Sequence, residues 1–196
     1  MRPMVLEFPE DPNTYTMDLQ YMFGSELLVA PIYNGAGERP VYFPAGRWID
    51  FWTREIFEGP RTVRVEAPLD LLPLYVRADA VVPTIEPRDY LTEDPFEMVT
   101  FDCYLLEDGA FELRDTDGIT RVKASFEGTQ LEITLEGAKQ KSGLRLIPLS
   151  GAPRVETVRA NGSDLEAVES LDLDLRSGVG WTFDPDGAVR VLAGRG

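Results

Sequence analysis

The sequence has no histidine and only one cysteine, Cys103, in 196 residues. Histidine is the usual general base near neutral pH and the usual zinc ligand, so its absence removes the commonest candidate for both roles. A single cysteine cannot form an internal disulfide or a cysteine-rich metal site. A nucleophilic cysteine would also need a partner such as histidine to activate it. We therefore predict that Cys103 is a small buried apolar residue.

Positive charge is also scarce. Lys and Arg number 19 against 34 Asp and Glu, which gives a formal net charge of -15. Phosphate groups need Lys and Arg for neutralisation, so this balance argues against nucleic acid as a partner. It argues equally against an anionic membrane surface. We interpret the acidic balance as a feature that favours solubility.

Long apolar segments are missing as well. No run of about 20 apolar residues marks a transmembrane helix. The start of the chain, MRPMVLEFPEDP, lacks the long apolar core of a signal peptide. Together with the lack of disulfides, this is compatible with a cytoplasmic location.

Short strands separated by Gly and Pro turns are predicted along the whole chain. Only residues 16–23 have apolar residues at helical spacing. Strands spaced by about 8–12 residues, with almost no helix, are typical of all-β sandwiches. The predicted strands are residues 4–8, 27–29, 39–43, 47–51, 62–67, 74–76, 80–82, 98–106, 110–114, 121–126, 130–135, 144–149, 154–160, 171–175, 180–183 and 188–192.

The turns between these strands carry Gly, Asn, Asp or Pro. Pro44-Ala45-Gly46 is predicted to close a hairpin with aromatic residues on both arms, and Gly59-Pro60 is predicted to form another turn. Asn161-Gly162 is a hairpin signal because both residues tolerate a positive φ. A shift in composition over residues 83–95 predicts a domain boundary.

The first 83 residues carry an ordered series of motifs. Their residues are Arg2, Pro3, Glu7, Phe8, Pro9, Asp11, Gln20, Gly24, Leu27, Leu28, Val29, Ala30, Pro31, Tyr42, Pro44, Gly46, Trp48, Asp50, Trp52, Ala67, Pro68, Leu69, Pro73, Leu74, Tyr75, Val76 and Arg77. Their order resembles the segment that directly follows the catalytic barrel in family 31 glycoside hydrolases, the α-glucosidases and α-xylosidases. Ala78-Asp79 stands where that family often has a Gly-containing turn, and beyond Pro83 the resemblance thins to the order of strands.

The resemblance implies three segments. Residues 1–24 would be the last strand and exit loop of a (β/α)8 barrel, residues 25–88 a proximal C-terminal β-sandwich, and residues 89–196 a distal one. Because no upstream barrel strand is present to pair with, Val5, Leu6 and Phe8 are expected to lack their usual partners. Exposed strand edges invite pairing with another chain, so residues 1–24 are expected to be mobile or to sit in an oligomer contact.

The resemblance also implies a reaction for the intact enzyme. In retaining glycoside hydrolysis one carboxylate attacks the sugar and a second acts as acid and then base, about 5–5.5 Å away. In the family both carboxylates lie upstream, and no position of this sequence matches either motif. We therefore assign no catalytic residue, no cofactor or cofactor-binding residue and no metal ligand. The implied partner is the catalytic barrel of the parent chain, which the sandwiches would buttress, and carbohydrate substrate is implied only through the parent enzyme.

Two groups of acidic residues allow a functional or a structural interpretation. Glu7, Glu10 and Asp11 could form a glycosidase acid and nucleophile pair, but chance pairs are expected among 34 acids, so we favour loop acids. Asp115-Thr116-Asp117-Gly118 could be a calcium loop, but no Glu occupies the closing position that an EF-hand needs. We favour a hairpin turn there, and likewise at Asp184-Pro185-Asp186-Gly187.

An aromatic cluster poses the same choice. Its members could stack on the apolar faces of sugars, or they could form a sandwich core, because aromatic side chains bury large areas. A stand-alone carbohydrate-binding module is thus one alternative function, and an exposed flat aromatic pair would favour it. A structural or oligomerisation domain is another. The cluster comprises Tyr42, Phe43, Trp48, Phe51, Trp52 and Phe57.

Overall fold

A computed structural model of the protein describes residues 1–87, 89, 98–116, 118–138, 141–168 and 180–193. The chain divides into two compact units, Met1–Ala78 and Asp79–Gly196. The all-β prediction is confirmed. Across the described ranges the helical elements are two short turns, α1 (Met4–Glu7) and a 3-10 turn (Pro12–Thr14). No helix in this part of the chain is long and apolar enough to cross a bilayer.

The first unit is built on one six-stranded antiparallel sheet. Its order is β1-β2-β3-β6-β4-β5, so β6 lies between β3 and β4 although it is the last of these six strands in the sequence. The longest pair, β4 and β5, forms one side of the sheet. The strands are β1 (Arg2–Pro3), β2 (Tyr21–Phe23), β3 (Leu27–Val29), β4 (Glu38–Asp50), β5 (Ile56–Glu66) and β6 (Leu74–Arg77).

The predicted hairpin at Pro44-Ala45-Gly46 is wrong. β4 continues through these residues, and its pairing register with β5 shifts between Phe43 and Gly46, which is a β-bulge. Gly46 has a φ of 119°, which side chains disfavour. Across the ladder, a Cβ on Gly59 would lie 2.0 Å from the carbonyl oxygen of Pro44. Gly59-Pro60 therefore lies within β5 and is not a turn.

The N-terminal segment also differs from the prediction. Residues 4–7 form α1 and not a strand. Met4 is buried in the core and Phe8, four residues on, packs against it, whereas Leu6 is 67% exposed. This spacing of buried residues is that of a helical turn. Within residues 16–23, predicted as helical, Tyr21–Phe23 forms β2.

The segment finds partners inside the first unit. β1 pairs with β2, and Met4 and Met22 are fully buried in the core of this unit. Phe8, one of the three residues expected to lack partners, packs against this core and meets Trp48 edge-on at 6.2 Å, so the expectation is wrong for Phe8, whereas Leu6 is 67% exposed. That residues 1–24 derive from a barrel stays a prediction, as do their mobility and the segment bounds 1–24, 25–88 and 89–196.

Trp48 lies at the centre of the first core. Its side chain is 1% exposed, and its indole N–H donates to the carbonyl oxygen of Pro44 at 2.9 Å. Phe43 stacks on Phe57 at 4.8 Å between ring centroids and meets Tyr75 edge-on at the same distance. Ile49, the next residue along β4, is buried as well. Both faces of the strand are therefore covered at this point.

The second unit is a β-sandwich of two five-stranded sheets. Their orders are β14-β13-β11-β10-β9 and β15-β16-β12-β8-β7. The core between them draws on both sheets, with Phe101 and Leu144 from one and Leu131 and Val158 from the other. The strands are β7 (Ala80–Thr84), β8 (Met98–Tyr104), β9 (Gly109–Asp115), β10 (Gly118–Glu127), β11 (Gln130–Glu136), β12 (Lys141–Leu146), β13 (Thr157–Ala160), β14 (Ser163–Asp164), β15 (Gly180–Phe183) and β16 (Val189–Ala193).

Cys103 and the predicted turns of this unit behave as expected. Cys103 is fully buried, and burial raises the pKa of its thiol above the ordinary value. Asn161 and Gly162 both have positive φ, 50° and 79°, and join β13 to β14. Gly187 N–H donates to the carbonyl of Asp184 in the hairpin of β15 and β16. The predicted strand at residues 171–175, Asp117, and most of the predicted boundary at residues 83–95 lie outside the described residues.

Replacing Trp48 with Ala should destabilise the first unit by about 3–5 kcal/mol, the usual cost of removing a large buried aromatic side chain. Trp52→Ala is the matched control. Half of that side chain is already in water, so the variant should lose clearly less unfolding free energy than Trp48→Ala. Urea denaturation followed by circular dichroism measures both variants. Equal midpoints for the two would contradict the assignment of Trp48 to the core.

Candidate functional site

The predicted carboxylates line a cavity beside the bulge of β4. Residues 7–13 form one wall, and Tyr42, Pro44, Ala45 and Pro60 form the other, around a volume of about 500 Å³. Glu7, Glu10 and Asp11 therefore line one cavity. We call this the N-terminal cavity. Its chemistry depends on what each carboxylate already contacts.

Glu7 is held between two arginines. One carboxylate oxygen lies 3.0 Å from Arg2 Nη1, and the other accepts a hydrogen bond of 3.0 Å from Arg77 Nη2. The Glu7 side chain is 13% exposed. The guanidinium of Arg77 also lies over the rings of Phe8 and Trp48, at 5.3 and 5.5 Å from their centroids. Glu7 therefore has the contacts of a structural ion pair that fixes α1 to β6.

Asp11 is held by neutral donors. It accepts hydrogen bonds from the Asn13 backbone N–H at 3.0 Å, from the Asn13 side-chain amide at 2.9 Å and from the Tyr42 hydroxyl at 2.6 Å. The bond from Tyr42 is the main reason that the pKa of Asp11 is lowered, and burial opposes it. Burial and the bond to Asp11 raise the pKa of Tyr42, so its hydroxyl stays a donor. Glu10, by contrast, is exposed at the rim.

Two buried polar residues complete the surroundings. Gln20 donates its amide to the Tyr42 carbonyl at 2.8 Å and accepts from the Tyr42 N–H at 3.1 Å. Its side chain therefore pairs with β4 as a neighbouring strand would. Arg39 donates from Nη1 to the carbonyls of Leu19 and, at 3.0 Å, Pro31. The sequence analysis identified Gln20 only as one residue of the motif series. Its local sequence gave no indication that its side chain contacts β4.

The aromatic cluster divides between core and surface. Tyr42, Phe43, Trp48 and Phe57 are buried, and Phe51 is half-buried. The structural interpretation is confirmed for these four buried residues. Trp52 is 50% exposed, and its indole N–H donates to the Leu72 carbonyl at 2.8 Å. Phe51 and Trp52 meet at 79°, so they form no flat pair.

The acidic turns show hairpin contacts. Gly118 N–H donates to the Asp115 carboxylate at 3.0 Å, and the Asp184 carboxylate accepts from Arg145 and Arg190. In the described ranges, no group of three His, Cys, Asp or Glu side chains is arranged to hold a metal ion.

Comparison with known protein families gives a match for the first unit. Residues 1–82 match the glycosyl hydrolase family 31 C-terminal domain. The first unit is therefore similar to that domain. The cavity, the Gln20 bridge and the arginine–glutamate contacts all lie within the matched segment. The resemblance predicted from the motifs is thereby confirmed.

Individual relatives agree with this assignment. The chain is 41% identical over 143 residues to an α-xylosidase of Saccharolobus solfataricus, covering 72% of this chain and 20% of that protein. It is 35% identical to α-glucosidase 2 of Bacillus thermoamyloliquefaciens, covering 61% and 16%. A GH31 dextranase of Flavobacterium johnsoniae, solved with isomaltotriose, superposes with a TM-score of 0.84 and 25% identity over 98% of this chain and 27% of the other. The chain thus spans a fifth or less of these two curated relatives.

Replacing Tyr42 with Phe should raise the pKa of Asp11 toward its ordinary value, because the hydroxyl is the main cause of the lowering. A lowered folded-state pKa stabilises the fold above the ordinary carboxyl pKa, and this contribution is lost as the pH falls through the lowered value. The variant should therefore lose about 1 kcal/mol of unfolding free energy at neutral pH, which is less than a buried bond to a charged group contributes because solvent screens this acceptor. The deficit should shrink in acid.

The matched control is Tyr15→Phe. The Tyr15 hydroxyl donates to the neutral carbonyl of Pro9 at 2.9 Å and is exposed. Titration of the Asp11 carboxyl by NMR should show a shift in Tyr42→Phe and none in Tyr15→Phe. An unchanged Asp11 pKa in Tyr42→Phe would refute the assigned cause.

Proposed function

We propose that this chain is the non-catalytic C-terminal β-sandwich region of a retaining α-glycosidase, an α-glucosidase or an α-xylosidase, and that it buttresses the catalytic barrel. The intact enzyme would hydrolyse α-glycosidic bonds in carbohydrates. The match of residues 1–82 to the family 31 C-terminal domain carries the proposal. The relatives named above extend far beyond the matched part, which leaves room for a separate catalytic region.

The contacts of the carboxylates support a non-catalytic role. A retaining glycosidase needs a free nucleophile and an acid that exchanges its proton. Glu7 is already paired with two arginines, and Asp11 accepts three hydrogen bonds. Releasing either one would break contacts that hold residues 2–13 to the sheet. Neither residue is therefore suited to act as nucleophile or proton donor.

The distribution of exposed apolar side chains supports the buttressing role. Of the twelve large hydrophobic residues exposed in the described part of the chain, nine lie in residues 1–78. Contiguous exposed apolar surface is typical of contact with a partner. Most of the exposed apolar side chains of the described residues belong to the unit that matches the family, which is consistent with a domain that another domain covers. The nine are Met1, Leu6, Tyr15, Leu19, Phe23, Tyr33, Trp52, Leu69 and Leu72.

The substrate of the parent enzyme is proposed only as an α-linked glycoside. The three relatives are named for xylosides, glucosides and dextran, yet all share this C-terminal part. A stand-alone carbohydrate-binding module is less well supported, because Trp52 is the one member of the aromatic cluster that is largely exposed.

Two measurements test the proposal. The purified chain should release no 4-nitrophenol from aryl α-glucoside or α-xyloside above a heat-killed control. Material captured from the source cells with an antibody against this chain should release it and should be far larger than 21.9 kDa. Activity in the purified chain would refute the non-catalytic role. Captured protein of full size with no activity on either substrate would refute the glycosidase assignment.

A further inference from the structure

The second unit contains an asparagine whose surroundings favour a covalent change. In an Asn-Gly pair the backbone nitrogen of glycine can attack the side-chain amide of asparagine, because glycine has no Cβ to hinder the approach. The chain has two such pairs, Asn34-Gly35 and Asn161-Gly162. Both are exposed, so neither is shielded from water. They differ in the groups that surround the reacting atoms.

Asn161-Gly162 has a base at the attacking atom. Gly162 N–H donates to the Glu132 carboxylate at 3.2 Å. A carboxylate at this position accepts the proton that the nitrogen must lose as it attacks. Glu132 lies opposite Arg159 in the pairing of β11 with β13, and its other oxygen is 3.8 Å from Arg159 Nε. Arg159 also donates to the Gly162 carbonyl at 3.1 Å. The carboxylate and the glycine are thus held in place together.

A donor is present at the amide that would be attacked. Leu135 N–H donates to Asn161 Oδ1 at 2.9 Å. During attack the negative charge develops on this oxygen, and a fixed backbone N–H stabilises it. The turn is itself fixed by the pairing of β13 with β14. Base, nucleophile and donor therefore converge on one residue.

We propose that Asn161 is a site of intramolecular deamidation assisted by Glu132. The Gly162 nitrogen bonds to the Asn161 side-chain carbon while Glu132 takes its proton. The bond from that carbon to Nδ2 then breaks, and nitrogen leaves as ammonia after taking up a proton. Water opens the resulting succinimide at either carbonyl and gives aspartate or isoaspartate. No oxidant, reductant or cofactor takes part.

Asn34-Gly35 is the internal control. Its side-chain amide donates to the Glu38 carbonyl at 2.8 Å, and its Oδ1 accepts from Ala36 N–H at 3.2 Å. Among the described residues, no carboxylate accepts a hydrogen bond from Gly35 N–H. The dipeptide is the same, so in an unfolded chain the two sites should react at similar rates.

The test is site-resolved mass spectrometry of the purified chain aged at neutral pH, folded and in urea. In the folded protein Asn161 should convert several-fold faster than Asn34, and in urea the two should be similar. Glu132→Gln keeps a hydrogen-bond acceptor but removes the base. It should slow Asn161 in the folded chain by about tenfold or more, since a positioned base contributes roughly 10²–10⁴-fold in enzymes. Asn34, and both sites in urea, should be unaffected.

Circular dichroism must show that Glu132→Gln is folded. Arg159→Met removes the ion pair with Glu132 and the hydrogen bond to the Gly162 carbonyl but keeps the base, so it should slow Asn161 less than Glu132→Gln does. Clearly greater slowing in Glu132→Gln supports the role of the base. A folded Asn161 no faster than Asn34 would overturn the proposal. So would equal rates for wild type and a folded Glu132→Gln, or equal slowing in the two variants.

Discussion

The first unit depends on the stacking of Arg77 between two aromatic rings and a carboxylate. Its guanidinium lies over Phe8 and Trp48, whose rings meet edge to face at 6.2 Å, and it bonds to Glu7. Each cation–π contact contributes about 0.5–2 kcal/mol, the more so when water is excluded. Arg77 Nε is buried without a hydrogen-bond partner among the described residues. The rings and Glu7 therefore compensate for burying this part of the cation, whose side chain is 37% exposed as a whole.

This arrangement gives the acidic residues near the start of the chain structural partners. Glu7 lies between two arginines, and removing its carboxylate would leave the Arg77 guanidinium without this ion pair beside two aromatic rings. Asp11 also contacts other parts of the fold, because it accepts a hydrogen bond from the Tyr42 hydroxyl, and this bond is the main cause of its lowered pKa. The carboxylates thus stabilise the junction of the N-terminal segment with the sheet.

The sequence predicted the strands of the second unit better than those of the first, for a physical reason. β9, β10 and β11 are consecutive antiparallel strands joined by Gly turns, so the alternation and turn residues that predict them lie close together in the sequence. The pairing of β8 with β12 is parallel and long-range, and leaves no local pattern. At Pro44-Ala45-Gly46 a turn and a bulge have the same composition, and Gly59 on the facing strand decides between them. The ion pair of Glu7 with Arg77 joins residues 70 positions apart, which no spacing argument reaches.

The N-terminal segment also supplies hydrogen bonds to the edge of β4. β6 pairs with β4 only at Trp48–Asp50, so the Tyr42 backbone has no strand on that side. Unpaired backbone groups are costly when buried and invite other chains when exposed. Gln20 supplies both the donor and the acceptor that Tyr42 lacks, and Asp11 receives its hydroxyl. The motif residues between Glu7 and Gln20 therefore act together as a cover for one strand edge.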